Sequence, residues 1–355
     1  MVKALLVSLL TLVAACDGPL KHEGSTTPEL LDDGWPIGTV EESGLDADAV
    51  TRLHQRLLDE RHFPGVRTLL IVKDGKLVAE VLLRTPADRD RPHSLMSVTK
   101  SVTSMLWGIA SDRGLTPPLD TPLCEVLDAP ACAGLADERK RAITLRHLLM
   151  MRSGLDFENV DFSREQWVGR PADPLRAILD KPLFAAPGEQ FRYRDCDPQL
   201  LGYALERLTG QREARFADAA LFEPLGIGDV VWNSGPIGET MAAHGLYLRP
   251  RDLAKLGQVM LDDGRWQGRQ LVSPAWRRAS TQALQPSNDP PFDYGFYWYV
   301  LPDGVGFAGW GSGGQYVLVF PSKRLVLVMT SAPDSVGFEG SRLDEVVALT
   351  EAIWR

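Results

Sequence analysis

The stretch "HSLMSVTKSVTSMLWGIA", residues 93–110, places a lysine three positions after a serine at the start of a segment with helical periodicity. With a helix beginning near Ser97, Ser97, Lys100, Ser101 and Ser104 share one narrow face, while Val98, Val102, Met105, Leu106 and Ile109 form a stripe roughly opposite. One side suits burial and the other carries a hydroxyl and an amine. Alone, the spacing is weak, because Ser-x-x-Lys arises by chance about once in a chain of this length. The chemistry is specific, however. A serine hydroxyl needs a neighbouring base to act as a nucleophile, and a lysine one turn away serves if burial or nearby charge lowers its pKa. A helix start also leaves backbone N–H groups free, which makes the Ser97 N–H a candidate oxyanion donor.

Around this segment the chain has 355 residues, 44% of them hydrophobic, enough for one large domain or two closely packed ones. A net charge of −9, without a basic cluster interleaved with aromatics, argues against nucleic acid as a partner. The first residues, "MVKALLVSLLTLVAAC", have one cation and then an apolar run too short to span a bilayer, the form of a secretory signal. Their end at Cys16 resembles a bacterial lipobox, with an ordinary secretion signal as the alternative. The expectation is a lipoprotein signal over residues 1–15, a tether over 16–36 and one catalytic domain over 37–355. The protein is then exported to the bacterial cell envelope, periplasmic or at the outer surface, and held at the membrane by acylated Cys16. Export permits disulfides, so Cys124 and Cys132 are a possible pair and Cys196 has no obvious mate. The six histidines are scattered and no Cys/His spacing suggests a metal; no cofactor is expected.

Residues 66–84 read as two strands joined at Asp74-Gly75, a hairpin signal. Helical patterns occupy 144–155, 197–210 and 249–264, two strands flank Pro321–Arg324, and a last helix spans 341–355. The fold class is therefore α+β: an antiparallel sheet built from both chain ends and flanked by helices, with an inserted, mainly helical subdomain and a cleft where the two meet.

Five ordered blocks carry a family resemblance: "HSLMSVTKSVTSMLWGIA", "TLRHLLMMRSGLDF", "PGEQFRYRDCDPQLLGYALERLTG", "HGLYLRPRDLAKLGQVMLDDGRWQGRQLVSPAWRR" and "YGFYWYV…GWGSGGQYVLVFP". In order and spacing they resemble the β-lactamase-related serine hydrolases, which include class C β-lactamases, D-alanyl-D-alanine carboxypeptidases, esterases and 6-aminohexanoate-dimer hydrolases. The resemblance covers about residues 50–355 and implies a β-lactamase/transpeptidase-like fold. It implies Ser97 as nucleophile, Lys100 beside it, and Tyr193 as the tyrosine of the second motif, sharing proton transfer with the lysine. The usual Asn or Ser of that motif is Asp195 here, and a carboxylate there would hold Lys100 protonated and leave Tyr193 better placed as base. In the third motif, "GWGSGGQ", Ser312 stands for the usual cation, followed by Gly313 and Gly314, with the Gln315 N–H as second oxyanion donor. Without that cation, recognition of a carboxylate-bearing substrate is weakened and a neutral ester or amide is favoured.

Trp298, Trp310, Tyr297 and Tyr294 are candidates for an apolar acyl pocket or for core packing, while His93 and His244 read as structural and Arg249 and Asp252 as helix anchors. The resulting expectation is a serine hydrolase cleaving a small-molecule ester or amide through an acyl-Ser97 intermediate. The alternatives are a D-alanyl-D-alanine carboxypeptidase or β-lactamase, and a catalytically silent binding protein of the same fold. The oligomeric state is left open.

Overall fold

The computed structural model describes residues 26–127, 130–158, 171–332 and 342–354; the expected signal, Cys16 and the first part of the tether lie outside them. The helix α1 (Ala47–Leu58) is followed by the hairpin β1 (Val66–Lys73) and β2 (Lys76–Leu82). Asp74 and Gly75 both take positive φ, 51° and 77°, which is what a two-residue turn matching strand twist requires. After α2 (Val98–Asp112) comes the helical region, with α3 (Cys196–Thr209) and α4 (Pro250–Leu261). The chain then adds β3 (Gln285–Pro286), β4 (Asp293–Tyr294), β5 (Tyr299–Val300), β6 (Phe307–Gly311), β7 (Gln315–Phe320), β8 (Leu325–Ser331) and α5 (Leu343–Glu351).

The eight strands form one sheet in the order β2-β1-β8-β7-β6-β5-β4-β3, and β1 pairs antiparallel with β8, Leu70 opposite Val328. Both chain ends thus meet in the sheet, as the sequence implied. Alternation along β7 sends Val317 toward α4 and Phe320 to the other face, where its ring meets Trp354 at 4.7 Å. Gly257 lets α4 lie flat: a Cβ there would fall 2.6 Å from a Val326 methyl and 2.9 Å from a Val317 methyl.

Several expectations change. Residues 26–36 were expected to be tether, but Trp35 is buried with its indole N–H on the Arg251 carbonyl, and the Glu80 N–H bonds the Thr26 carbonyl. A large aromatic gains more from the core than a polar linker gains from solvent. The helix expected over 144–155 runs only from Leu145 to Leu149, since Met151 and Gly154 need positive φ. α2 is buried all round: Lys100, Ser101 and Ser104 are as buried as its apolar stripe. Cys124 and Cys132 are joined by a disulfide, and Cys196 is free and buried.

Beneath α2, Glu213 is fully buried, its carboxyl packed against Gly202 of α3, and burial pushes it up to about 8. The folded protein therefore keeps a proton that the unfolded chain releases near pH 4.5, so this group costs stability as pH rises from about 4.5 to 8. Glu213→Gln is expected to match the wild type in urea unfolding at pH 4.5 and to exceed it by a few kcal/mol, on the order of 1.4 per pH unit, at pH 8. A constant difference across that range would refute the burial account. Gly257→Ala should lose about 1–3 kcal/mol at every pH, through overpacking against the sheet.

Candidate active site

Ser97 sits just ahead of α2, half-exposed, and the residue before it, Met96, is held at φ 47°, a conformation uncommon for a side-chain-bearing residue. The kink turns the chain from the short strand His93–Ser94 into the helix and presents Ser97 at its start. Among the described residues, no backbone carbonyl takes the Ser97 N–H.

Three oxygens surround the Lys100 ammonium: the Ser97 hydroxyl at 2.9 Å, the Ala243 carbonyl at 2.9 Å and the Asp195 carboxylate at 2.7 Å. The Tyr193 hydroxyl also hydrogen-bonds this ammonium, so its three hydrogens are fully shared among the groups around it. Each of the three oxygens comes from a different segment. Ser97 precedes α2, Asp195 occupies the cap position of α3, and Ala243 lies in the turn that leads into the short strand Leu246–Leu248. That stretch is pinned by Thr103 on the Ala242 carbonyl, Gln199 on the Ala242 N–H and Leu95 on the Leu246 carbonyl. Burial alone would push the Lys100 ammonium down, but the Asp195 carboxylate and, after it, the Tyr193 side chain outweigh burial and hold the group above the ordinary lysine range. Tyr193, in the loop before α3, completes the cluster with its ring centroid 4.9 Å from Nζ. Two residues beyond Asp195, Asp197 accepts the Ser153 hydroxyl at 2.6 Å, fixing the loop after the Leu145–Leu149 helix against α3. Burial drives that carboxyl up to about 7.

The strand β6 closes the other side. Gly311 touches the approach to the nucleophile so closely that a Cβ would fall 2.3 Å from the Leu95 carbonyl, and a Cβ on Gly309 would press on Ser101 and Val98. β5 pairs with β6 only at Phe307 and Ala308, which leaves the edge from Gly309 to Gly311 open.

Ser97, Lys100, Tyr193 and Asp195 are thus brought together. Ser312, Gly313 and Gly314 form the turn from β6 to β7, with Ser312 exposed. Gln315 does not fit the donor role assigned to it. Its side chain is spent on the Ser331 backbone, and its own backbone sits opposite Gly311. The Leu301 N–H bonds the Gly306 carbonyl, so alternation directs Gly309 and Gly311 to β7 and Trp310 to the open edge. The Gln315 N–H is therefore used in the ladder.

Trp298 is no pocket residue either: it is 1% exposed and packs edge-on to Phe307 at 5.4 Å. Tyr297 is a brace, its hydroxyl on the Leu148 carbonyl and its carbonyl on the Ser101 hydroxyl. His93 is structural, with Nδ1 2.7 Å from the Thr330 hydroxyl, and Arg249 bonds Asp252 as expected. His244, read from sequence as structural, lies within electrostatic reach of Asp195 and Lys100, and burial pushes its imidazole down. Its position directly after the acceptor of Lys100 is a three-dimensional fact that no local pattern announces. Among the described residues, no group of three His, Cys, Asp or Glu is arranged to hold a metal.

Comparison with known proteins gives the family. The chain is 26% identical over 313 residues to a 6-aminohexanoate-dimer hydrolase of Paenarthrobacter ureafaciens, covering 80% of this chain and 78% of that one. It is 31% identical over 204 residues to a lovastatin esterase of Penicillium rubens, about half of each chain. A solved structure, a putative 6-aminohexanoate-dimer hydrolase from Bacillus anthracis, superposes with a TM-score of 0.71 at 17% identity over 94% of this chain and 88% of that one. The model of the Beta-lactamase family matches residues 50–351, and the chain belongs to that family of serine hydrolases.

Proposed function

We propose that the protein cleaves a small, uncharged ester or amide through an acyl-Ser97 intermediate, the observation that carries this being the cage of three oxygens around Lys100, one of them the Ser97 hydroxyl. An ammonium that donates all its hydrogens accepts none. Lys100 therefore orients Ser97 and supplies positive charge, and the serine proton passes to Tyr193 acting as its phenolate, paired with the Lys100 ammonium 4.9 Å from its ring centroid. The Ser97 N–H is one oxyanion donor, and the open β6 edge from Trp310 into the turn at Ser312 offers the second in place of Gln315. Tyr193 then returns the proton to the leaving group and activates the water that deacylates the serine.

The substrate class rests on charge. Lys100 is neutralised by Asp195, and the turn at Ser312 presents a hydroxyl where carboxylate recognition needs a cation. The relatives named 6-aminohexanoate-dimer hydrolase and lovastatin esterase support an ester or amide as the bond cleaved. The complete Ser97, Lys100 and Tyr193 cluster weighs against a silent binding protein. We further propose export to the cell envelope on an acylated Cys16, which the Cys124–Cys132 disulfide supports.

Ser97→Ala should abolish labelling by a fluorophosphonate probe and lower nitrophenyl ester turnover at least about 10³-fold, with a chromogenic cephalosporin a far poorer substrate for the wild type. Labelling that persists in the variant would rule Ser97 out. Tyr193→Phe is expected to cut kcat about 10²–10⁴-fold with KM little changed. Asp195→Asn removes the carboxylate that opposes burial, so the Lys100 pKa falls. Because the ammonium form is required, the alkaline limb of kcat/KM moves to lower pH in this variant. A gain in activity at neutral pH would instead make Lys100 the base.

A further inference from the structure

A row of aromatic rings leads away from the catalytic cluster along the face of the sheet opposite α2. Tyr193 stands edge-on to Tyr294 at 6.1 Å, Tyr294 edge-on to Tyr299 at 4.9 Å, and Tyr299 tilts against Trp310 at 5.2 Å. Phe191 joins at 5.4 Å from Tyr294. The middle of the row, Tyr294 and Tyr299, is buried, whereas Phe191, Tyr193 and Trp310 are half-exposed. Core packing accounts for the buried pair. It does not account for why the exposed ring of Tyr193 lies against the Lys100 ammonium, at the head of the row.

Tyr193 touches Lys100, and Trp310 lies between Gly309, which meets Val98 and Ser101, and Gly311, which meets Leu95 and Met96 just before Ser97, on the part of β6 that has no partner on the β5 side. The buried tyrosines hold these rings in fixed orientations, so contact with them carries little ordering cost. Tyr193 apart, none of these rings brings a charge, and Asp289 lies within electrostatic reach of Tyr299, which disfavours an anionic group there.

Resting on the serine-hydrolase reading above, we infer that the acyl part of the substrate carries a flat apolar ring, which packs on the shelf formed by Trp310 and Tyr193 with Tyr299 as its floor. A ring gains offset or edge-on contacts with such a wall that an alkyl chain of equal size does not. Trp310 is then the specificity residue, and the open β6 edge keeps its flank accessible.

The test compares nitrophenyl phenylacetate with nitrophenyl hexanoate. The wild type is expected to favour phenylacetate by about tenfold or more in kcat/KM, Trp310→Ala to bring the ratio within about threefold of unity, and Trp310→Phe to keep most of the preference. A wild-type ratio near one, or a ratio unchanged in Trp310→Ala, overturns the inference. Thermal melts establish that the variants are folded. Should Trp310→Ala not fold, the wild type alone decides, since phenylmethylboronic acid must then inhibit at least about ten times more tightly than pentylboronic acid. Failure of the inference with Ser97-dependent fluorophosphonate labelling intact leaves the hydrolase reading standing, whereas loss of that labelling overturns both.

Discussion

A single buried ammonium governs the arrangement of this protein. Removing a charge from water is costly unless it is paired and hydrogen-bonded, and Lys100 is 1% exposed. Its three oxygens come from three segments remote in sequence, the start of α2, the start of α3 and the stretch around Ala243. None of these can shift without leaving the charge short of a partner. The starts of α2 and α3 and the turn at Ala243 are thereby locked together at the point where the serine is displayed.

The demands of that site reach outward into backbone geometry. Met96 accepts a left-handed conformation so that Ser97 can open the helix, and β6 gives up side chains at 309 and 311 so that its edge can lie against it. The α2 face that carries Lys100 is buried because the Ala242–Leu246 stretch and β6 cover it. What an isolated amphipathic pattern assigns to solvent is in fact the wall of the catalytic cleft.

The elements legible in the sequence were those with a local cause. The 74–75 turn needs two positive φ values and advertises them as Asp-Gly; α3 ends at Gly210, whose φ of 73° marks its stop; the two closing strands alternate around Pro321. The serine, lysine and tyrosine were legible because a family pattern fixes their order. The oxyanion donor was not, because which N–H faces the cleft depends on strand register, and counting along "GWGSGGQ" gives no parity. The roles of Trp298 and Trp310 were indistinguishable for the same reason. They lie on opposite faces of the sheet, one against Phe307 in the core and the other on the open edge.

The docking of residues 26–36 has a consequence for the reach of the enzyme. Thr26 is already bonded to β2, so an acylated Cys16, as proposed, would leave nine residues between lipid and folded domain, at most about 35 Å of extended chain. On that proposal a leash shorter than many domains are wide would hold the folded domain within about one protein diameter of the bilayer. Substrates that partition into that surface would then be met at a local concentration the bulk solution does not have.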